Sequence, residues 1–596
     1  MTFTTEEGLR QVPSSFGLWS AISLGWLSLN AFGGISFILF VGLSAGGLPA
    51  ILYGFIGSGI AMTLLVMTLA QCAARFSTAG GAYHYSCFLT PPKYRRQVAY
   101  PLGWLNYLGL VFTHAACCAI VATSTLGLVN LFQPDFDVTT RWRLFLVYLA
   151  VVGICWILNL WGLKSIPTLE LFGCYVTIIA FVAYTILLLV KAPKASARFV
   201  FVEPTNETGY ASTSFSIVLG LFTSFSTLMS CEAACHLAEE LPTPKRSLPR
   251  ILIIVIVSQF IVGVVWILVL GFSITDLDAV LKTRTGIPVL ELIRRATSSD
   301  AAAMCFAVVL IINNGTSALA SAVAMSRQGY AFARDGGLFW NSKLIERSSA
   351  TEIPMWSINL PSLLVALIGL IYLFSDAAFN AIIGGQGVCM IISFAFPALT
   401  LLITRGRLLP SSPRWNLGLF ATPIYVFVVG YALLVVVVAL ARELSPSLSL
   451  PSLLLYCPLR MPQRHPITAL NMNYTILILG ALLLAMAVSW FVEGRSSYAP
   501  PLDTEYASTT TTTIIIEGSG LPISVGEGEQ QPDVESAKDA EAKDAKQTVT
   551  TLEDMDPILG DTAAYEENQR IIQIQAQPGG VQEDLKEESP AEVEQA

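Results

Sequence analysis

The sequence predicts an all-α integral membrane protein with twelve transmembrane helices, two of them interrupted near their middles. The 596-residue chain is 54% hydrophobic and only 13% charged, whereas a soluble domain carries roughly 25% charged residues. Apolar runs long enough to cross a bilayer as helices, about 20 residues each, recur from residue 17 to residue 492. The net charge of −8 arises largely from an acidic C-terminal segment.

The twelve apolar runs are separated mostly by short connections, which leave no room for an independent soluble domain. The predicted spans are 17–43, 48–72, 100–131, 142–161, 166–191, 213–238, 250–273, 301–326, 355–374, 377–403, 418–441 and 474–492. Only helices and closed barrels satisfy their backbone hydrogen bonds in lipid, and these runs are too long for barrel strands. Residues 17–493 are therefore predicted to form one helical bundle after a short cytoplasmic segment, 1–16.

An even number of spans puts both termini on the same side of the membrane. The loops assigned to the inner side carry slightly more Lys and Arg than the others, which favours cytosolic termini. The sequon Asn206-Glu207-Thr208 then falls in an outer loop, so Asn206 is a candidate for glycosylation. We expect a multi-pass protein of the plasma membrane rather than of the vacuole.

The C-terminal residues 494–596 have a different composition. A threonine run, 509–513, leads into sequence rich in Gly, Glu and Asp, which has too little apolar content to collapse and is predicted to be a disordered acidic tail. The tail contains Lys538, Lys543, Lys546 and Lys586. These lysines make a ubiquitin ligase a candidate partner; the alternative is that they only keep the tail soluble.

Spans 1 and 6 are interrupted at matching positions of two five-span halves. Asn30, Gly33 and Gly34 lie near the middle of span 1, and each glycine weakens a helix by roughly 1 kcal/mol relative to alanine. The polar stretch 230–232 lies near the middle of span 6. Such a pair predicts an inverted-repeat transporter, with repeats at about 17–191 and 213–403 and helices 11–12 at about 418–492. The alternative for "NAFGG" is close helix packing through small residues.

Interrupted helices expose backbone groups that bind small polar molecules. Amide N–H groups and a positive dipole end can hold a substrate carboxylate, and free carbonyls can hold an ammonium or a coupling cation. Glu232 lies in the second interruption, where an ionised carboxylate costs ~2.5–3.5 kcal/mol on insertion scales. We therefore expect it to face a cavity and either neutralise a cationic substrate group or exchange a proton. The alternative is a hydrated position one turn closer to the cytosol.

Other polar residues within spans have two interpretations each. His114 is a candidate proton relay or a histidine hydrogen-bonded between helices. Asn313 and Asn314 either contact substrate or tie helices together, and Glu170 could form an interface pair with Lys164. At the inner end we expect Glu239 and Glu240 to form an ion-pair cluster with their sequence neighbours and to close that face. The predicted inner-gate residues are Glu239, Glu240, Lys245, Arg246, Arg327, Arg334 and Asp335.

Four motifs resemble those of a known family. "STAGGAYHY" after span 2, "HLAEELPTPKRSLPRIL" after span 6 and "MSRQGYAFARDGGL" after span 8 resemble the amino acid–polyamine–organocation (APC) permeases. "PITALNMNY" before span 12 is similar to the fungal amino acid/choline branch, which includes choline and γ-aminobutyrate permeases. The resemblance covers about residues 15–500 in order. It implies two inverted five-helix repeats and proton-coupled import of small amines or amino acids.

The resemblance also implies a substrate site between the two interruptions. The residues that it and the sequence pattern assign to substrate binding are Asn30, Ala31, Phe32, Gly33, Gly34, Phe225, Ser230, Cys231, Glu232, Asn313 and Asn314. Where the family commonly has glycine, an aromatic residue and an acid, this chain has Ser230, Cys231 and Glu232, so the usual aromatic gate is missing. Phe225 or Phe32 could replace it. A further departure is 442–460, which is either a lineage insertion or a translated intron.

Together these observations predict a secondary active transporter that imports γ-aminobutyrate-like amino acids, choline or polyamines by alternating access. A quaternary ammonium would favour an aromatic cage, to which Phe32, Phe112, Phe222 and Phe225 could contribute. The alternatives are a non-transporting nutrient sensor on the same fold and a channel. No nucleophile–base pair, metal-ligand spacing or nucleotide-binding loop is recognisable, so we expect no enzyme activity, cofactor, metal or nucleic-acid partner.

Overall fold

The computed structural model describes residues 16–138, 140–206, 213–281, 283, 285–346, 354–412, 415–441, 475–501, 512–515 and 522–525. The chain forms two compact units, Met1–Tyr506 and Ala507–Ala596, which are treated separately below. Glu207 and Thr208 of the sequon, the segment 442–460 and the four tail lysines lie outside the described residues, and the predictions made for them stay predictions.

The larger unit is a bundle of long helices. Eleven segments of its described part are long and apolar enough to cross a membrane. In chain order the spans contain Leu18–Leu29 with Ala31–Ser44, Gly47–Ala73, Pro92–Phe132, Arg141–Trp161, Ile166–Lys191, Thr213–Thr223 with Ser224–Leu228 and Ala233–Glu240, Pro244–Ser273, Asp300–Arg334, Met355–Phe374, Asp376–Ile403, Ala421–Ala441, and Thr475–Ser489. Thr475–Ser489 corresponds to the predicted twelfth span and begins at the edge of a gap in the described residues. The prediction of an all-α membrane bundle is confirmed.

Both predicted interruptions are present. Span 1 breaks at Asn30, which has left-handed backbone angles (φ 49°, ψ 53°) between two α-helices. Span 6 changes after Thr213–Thr223 into a 3₁₀-helix, Ser224–Leu228, and, after a turn, into a second one, Ala233–Glu240. The first break is a single-residue kink, whereas the second replaces half of a helix by tighter and less regular turns.

The two halves share further features. Short helices lie between the second and third spans of each half, Ala82–Phe88 in the first half and Leu277–Leu281 and Pro288–Thr297 in the second. The third spans of the two halves, Pro92–Phe132 and Asp300–Arg334, pack against each other. This correspondence is what two repeats of five helices require.

The remaining helices are short. Ala197–Phe201 follows span 5, Asn341–Leu344 follows span 8, and a 3₁₀ turn, Gly418–Phe420, precedes span 11.

The bundle extends past the predicted boundary at residue 494. After Thr475–Ser489 come a π-helical turn, Trp490–Gly494, and a short helix, Arg495–Ser497. The Ser497 hydroxyl donates to the Gly336 carbonyl at 3.1 Å, and the Ala499 N–H donates to the Asp335 carbonyl at 2.9 Å. These bonds fasten the end of the bundle to the inner end of span 8.

In the smaller unit the described residues form an antiparallel pair of strands. Thr512–Ile515 pairs with Pro522–Val525, with Thr512 opposite Val525. The predicted tail therefore contains one short hairpin in its described part.

Candidate substrate site and inner gate

The break in span 1 is built by Asn30. Asparagine tolerates left-handed angles better than most residues, and here its side chain also caps the second half of the span. Its Oδ1 accepts the Gly33 N–H at 3.1 Å, and its Nδ2 donates to Asn314 Oδ1 on span 8 at 2.8 Å. The Asn30 N–H closes the preceding helix on the Trp26 carbonyl at 3.1 Å.

Gln259 on span 7 bridges the same break, and nothing in the sequence pattern predicted it. Its Oε1 accepts the Ala31 N–H at 2.9 Å, and its Nε2 donates to the Trp26 carbonyl at 2.5 Å. The side chain is completely buried. Because Gln259 and Asn30 occupy the amides of Ala31 and Gly33, these two amides are not free for a substrate carboxylate. The expectation that they hold one is corrected for this conformation.

Asn313 and Asn314 differ in their hydrogen bonding. Asn314 accepts from Asn30 and donates to the Leu310 carbonyl at 2.8 Å, so it ties span 8 to span 1. Asn313 donates to Thr177 Oγ1 at 2.9 Å, but its buried Oδ1 has no hydrogen-bond partner. That oxygen packs against Gly33, where a Cβ would come within 2.2 Å of it. A free acceptor thus lies beside the break.

The two interrupted helices lie side by side. A Cβ on Gly34 would be 2.9 Å from Thr227 Cγ2, and one on Gly25 would be 3.5 Å from the Ala234 Cβ. The polar turn 230–232 lies between these two contacts along span 6, as Asn30 does along span 1. Ser230 and Cys231 are buried there. The breaks are therefore at matching heights.

Glu232 does not face a cavity in this conformation, contrary to expectation. Its side chain is 0% exposed, and it accepts from the Ala82 N–H at 3.0 Å and from the Asn106 side-chain amide of span 3. His236 Nε2 lies 3.5 Å from Glu232 Oε1, but without hydrogen-bonding geometry. The carboxylate is thus enclosed between span 6, span 3 and the segment that follows span 2.

That segment is "STAGG", residues 77–81 at the start of the "STAGGAYHY" motif. Span 6 packs on it, and we call it the seat of span 6. His236 Nδ1 donates to the Ala79 carbonyl at 2.7 Å, because a carbonyl only accepts. Gly81 has a positive φ of 60°, and a Cβ there would lie 3.2 Å from both Glu232 Oε2 and His236 Cε1. Only glycine combines these backbone angles with so close an approach.

Among the described side chains of the suggested aromatic cage, the Phe32 ring points away from the breaks. Phe32 is fully buried, with its ring centroid 4.7 Å from Trp266 and 5.8 Å from Phe306. Its assignment to the substrate site is therefore corrected, because its ring points into the apolar core. Phe225 is half-buried against Gly387, and Phe112 is buried. The side chain of Phe222 lies outside the described residues.

The inner ion pairs involve span 8. Glu239 accepts from Arg334 at 3.1 Å and Glu240 from Arg327 at 2.9 Å, and Arg327 also donates to Asn159 Oδ1 at 3.0 Å. Lys245 and Arg246 had been expected as the partners because they are close in sequence. They lie at the start of span 7, and the ion pairs shown for Glu239 and Glu240 run to the two arginines.

Asp335 forms a separate buried cluster. It accepts from the Tyr83 hydroxyl at 2.5 Å and contacts His84 Nε2 at 2.7 Å, and His84 Nδ1 lies 2.5 Å from Thr78 Oγ1. Asp335, one of the predicted inner-gate residues, thus links span 8 to the helix Ala82–Phe88. Both partners, Tyr83 and His84, belong to the "AYHY" part of the "STAGGAYHY" motif.

Two further predicted groups lie apart from the breaks. His114 is buried, with Nδ1 3.0 Å from Ser321 Oγ on span 8, as the interhelical alternative proposed. Glu170 is 0% exposed, and neither of its carboxyl oxygens has a hydrogen-bond partner. Lys164 is exposed at the start of the helix, so the suggested pair between them is wrong.

On the predicted outer side, Asn206 forms an isolated bridge with Ala45, which attaches this loop to the end of span 1. Glu291 is bonded by Arg294 at 2.8 Å and by Arg295 at 2.6 Å. Partial burial raises the pKa of Glu291, but the bonds and charges of the two arginines outweigh it and hold the pKa below its ordinary value.

The chain matches the family described as amino acid permease over residues 16–482, and it belongs to that family of APC transporters. It is similar to a choline transporter of Saccharomyces cerevisiae, 28% identical over 494 residues that cover 83% of this chain and 84% of the relative. A polyamine transporter of the same yeast is 25% identical over 494 residues, 81% of this chain and 76% of the relative. An amino-acid permease of Arabidopsis thaliana is 24% identical over 516 residues, 83% and 94% of the two chains.

This chain is therefore a multi-pass membrane transporter of small amines or amino acids, and not an enzyme.

Proposed function

We propose that the protein imports an ammonium-bearing solute of the choline, polyamine or γ-aminobutyrate class across the plasma membrane, driven by protons. The solute binds between the interruptions of spans 1 and 6, beside Asn30, Gly33 and Gly34, Ser230 to Glu232 and the two asparagines of span 8. The observation that carries this proposal is the side-by-side arrangement of the two breaks, which is typical of midplane sites in inverted-repeat transporters.

The chemistry of the span 1 break favours a cation over an anion. The amides of Ala31 and Gly33 are occupied by side chains, while the buried Oδ1 of Asn313 and the Ser28 hydroxyl have no partner. The C-terminal end of Leu18–Leu29 also directs the negative end of its dipole towards the break, whereas the amides at the positive end of Ala31–Ser44 are capped by Asn30 and Gln259. These groups accept hydrogen bonds and attract positive charge, so an ammonium is the group they would bind first.

Alternating access needs an inner face that can close and open. The closed side is held by Glu232 against Ala82, and by the ion pairs from Glu239 and Glu240 to span 8. We infer that span 6 leaves the "STAGG" seat when the site opens inwards. Glu232 then belongs to the gate, and it becomes available to the bound cation only when that contact breaks.

The test is uptake in a transport-null host with radiolabelled choline, γ-aminobutyrate, polyamines and neutral amino acids, with and without a protonophore. We expect saturable uptake of one ammonium-bearing compound, abolished by the protonophore. Lack of uptake of every compound by protein shown to be at the cell surface would refute the proposal.

A paired substitution tests the role of Glu232. Glu232→Gln replaces the acid that Ala82 and Asn106 hydrogen-bond, and we expect uptake to fall about tenfold at equal surface expression. Glu346→Gln is the control, because Glu346 is exposed; the outer-loop Glu291 is unsuitable because it is bonded to two arginines. Equal, mild effects of both variants would contradict the gate role.

A further inference from the structure

Two carboxyl groups are completely buried in the spans, and they differ in their hydrogen bonding. Glu232 receives hydrogen bonds from the backbone of Ala82 and the side chain of Asn106. Glu170, on span 5, is also 0% exposed, yet neither of its oxygens has a partner. Buried polar groups are almost always hydrogen-bonded, so a buried carboxyl group without a hydrogen-bond partner requires an explanation.

The neighbours of Glu170 connect it to His114. Cys155 of span 4 lies close enough to Glu170 to influence its charge, and the thiols of Cys155 and Cys118 are in hydrogen-bonding contact. Cys118 Sγ is 3.7 Å from His114 Nε2, and His114 Nδ1 is 3.0 Å from Ser321 Oγ. We call Glu170, Cys155, Cys118, His114 and Ser321 the Glu170–His114 cluster. It is a set of neighbouring groups with exchangeable protons inside the bundle, in which Glu170 is linked to Cys155 by proximity and not by a hydrogen bond.

No positive side chain balances Glu170 from the elements packed around it. In sequence, Leu18–Leu29 of span 1, residues 316–326 of span 8 and residues 251–273 of span 7 contain no Lys, Arg, His, Asp or Glu. On span 5 itself the neighbouring titratable group is the thiol of Cys174, which contacts Ser23 of span 1. The remaining charged groups on these elements and span 4 are bonded elsewhere or lie at helix ends: Arg141, Arg143, Lys191, Lys245, Arg246, Arg250, Glu291, Arg294, Arg295, Asp300, Arg327 and Arg334.

An ionised carboxylate without a partner is strongly disfavoured in such surroundings, and a buried carboxyl group avoids the cost by keeping its proton. We propose that Glu170 is the site at which the coupling proton is bound and released, with His114 at the other end of the same cluster. This inference rests on the proposed function, since it presupposes proton-driven transport. It assigns the proton to Glu170, not to Glu232.

The cluster adjoins the inner gate, which gives the bound proton a means to control it. Asn159 lies one helical turn after Cys155 on span 4, and its Oδ1 accepts from Arg327, the partner of Glu240. When Glu170 loses its proton, an unbalanced negative charge appears in the interior beside span 4, whose Asn159 shares Arg327 with Glu240. We expect this charge to shift span 4, to disturb the shared contact and so to favour opening inwards.

The experiment separates coupled accumulation from exchange. Glu170→Gln preserves the size of the side chain and cannot release a proton. Cells or proteoliposomes with the full-length variant are assayed for net uptake of the radiolabelled substrate identified above, and for exchange with unlabelled substrate inside. We expect net accumulation to fall at least tenfold and to lose its response to a protonophore, while exchange remains within about twofold of the wild type. Glu346→Gln is the matched control and should behave as the wild type.

Glu170→Asp provides a second readout if the glutamine variant is not delivered to the membrane. It keeps a titratable group at a changed position, so the pH profile of net uptake should shift while exchange remains. Accumulation by Glu170→Gln that still collapses with a protonophore would overturn the inference. So would loss of exchange together with accumulation in a surface-expressed Glu170→Gln, or an unchanged pH profile in Glu170→Asp. A wild type that takes up nothing refutes the proposed function instead, and wild-type uptake that ignores the protonophore refutes the coupling on which this inference rests.

Discussion

The two interrupted helices are broken in different ways. Span 1 is kinked at one residue, and the groups on either side of the kink are bonded by Asn30 itself, by Gln259 of span 7 and by Asn314 of span 8. Span 6 loses its α-helical form over a longer stretch and is held at Glu232 by Ala82 and by Asn106 of span 3, and at His236 by Ala79. The first break is bonded to two long helices, and the second mainly to the short motif after span 2.

This difference predicts which helix moves. To move the kink of span 1, several buried hydrogen bonds with neighbouring spans must break together. To move the second half of span 6, its contacts with the "STAGG" segment, its bond to Asn106 and the ion pairs at its end must break, and one of these pairs, Glu239–Arg334, is partly exposed. We therefore expect span 1 to act as the fixed wall of the site and span 6 as its moving wall.

The largest effect is expected from Gly33→Ala. The added Cβ would lie 2.2 Å from Asn313 Oδ1 and 2.8 Å from the Asn30 side chain, and overpacking of this kind costs about 1–3 kcal/mol. Uptake per molecule at the cell surface should fall more than tenfold. Gly315→Ala on span 8 is the control, because nothing lies within 4 Å of the Cβ it would add. Similar activity of the two variants would mean that the span 1 break adapts easily.

Gln259→Leu should have the next largest effect. The leucine has a similar size but leaves the Ala31 N–H unbonded, at a cost of about 1–3 kcal/mol for the buried amide, and it removes one of the two hydrogen bonds that the Trp26 carbonyl accepts. The melting temperature of the purified protein should fall clearly. Gln259→Glu keeps an acceptor for the Ala31 N–H and should lie between the wild type and Gln259→Leu. An unchanged melting temperature for Gln259→Leu would show that the kink is not held by span 7.

Gly81→Ala tests the seat of span 6. The positive φ costs about 1–3 kcal/mol for a residue with a Cβ, and the methyl group presses on Glu232 and His236 at 3.2 Å. We expect the inner face to open more often, which should raise maleimide labelling of the buried Cys235 severalfold, as measured on its peptide by mass spectrometry. Gly57→Ala, which has nothing within 4 Å, should leave the labelling unchanged. Lower labelling in Gly81→Ala would contradict a movable span 6.

The smallest effect is expected at the direct contact between span 1 and span 6. Gly34→Ala would place its methyl 2.9 Å from Thr227 Cγ2, a contact that a small side-chain shift relieves, so uptake should fall only two- to threefold. Thr227→Ser removes that methyl and keeps the hydroxyl, so the double variant should recover. Failure of Thr227→Ser to restore uptake would place the effect of Gly34→Ala elsewhere.

The sequence predicted the breaks well because their causes are local. Asn30, two glycines and a buried acid disturb a helix wherever it packs. Gln259 and Asn106 could not be found in this way, because their partners lie more than a hundred residues away in the chain and many buried amides only join helices.

Two assignments show a second limit of sequence reasoning. Phe32 was assigned to the site although its ring packs in the core, since the direction of a side chain after a kink depends on backbone angles that the sequence does not reveal. The inner acids were paired with neighbouring basic residues because proximity along the chain was the only available guide. The partners shown belong to span 8, which the fold brings alongside.

The attachment of Ser497 and Ala499 to the inner end of span 8 has a practical consequence for handling the protein. Residues 497–499 are bonded beside the Asp335 cluster, and Arg96 donates to the Gly494 carbonyl from span 3 at 3.1 Å. Truncation before Ser497 would remove the bonds of Ser497 and Ala499 to span 8 and change the inner end of that span. Purification tags and fluorescent reporters are therefore best joined well after Pro501, so that the fused domain does not disturb the inner gate.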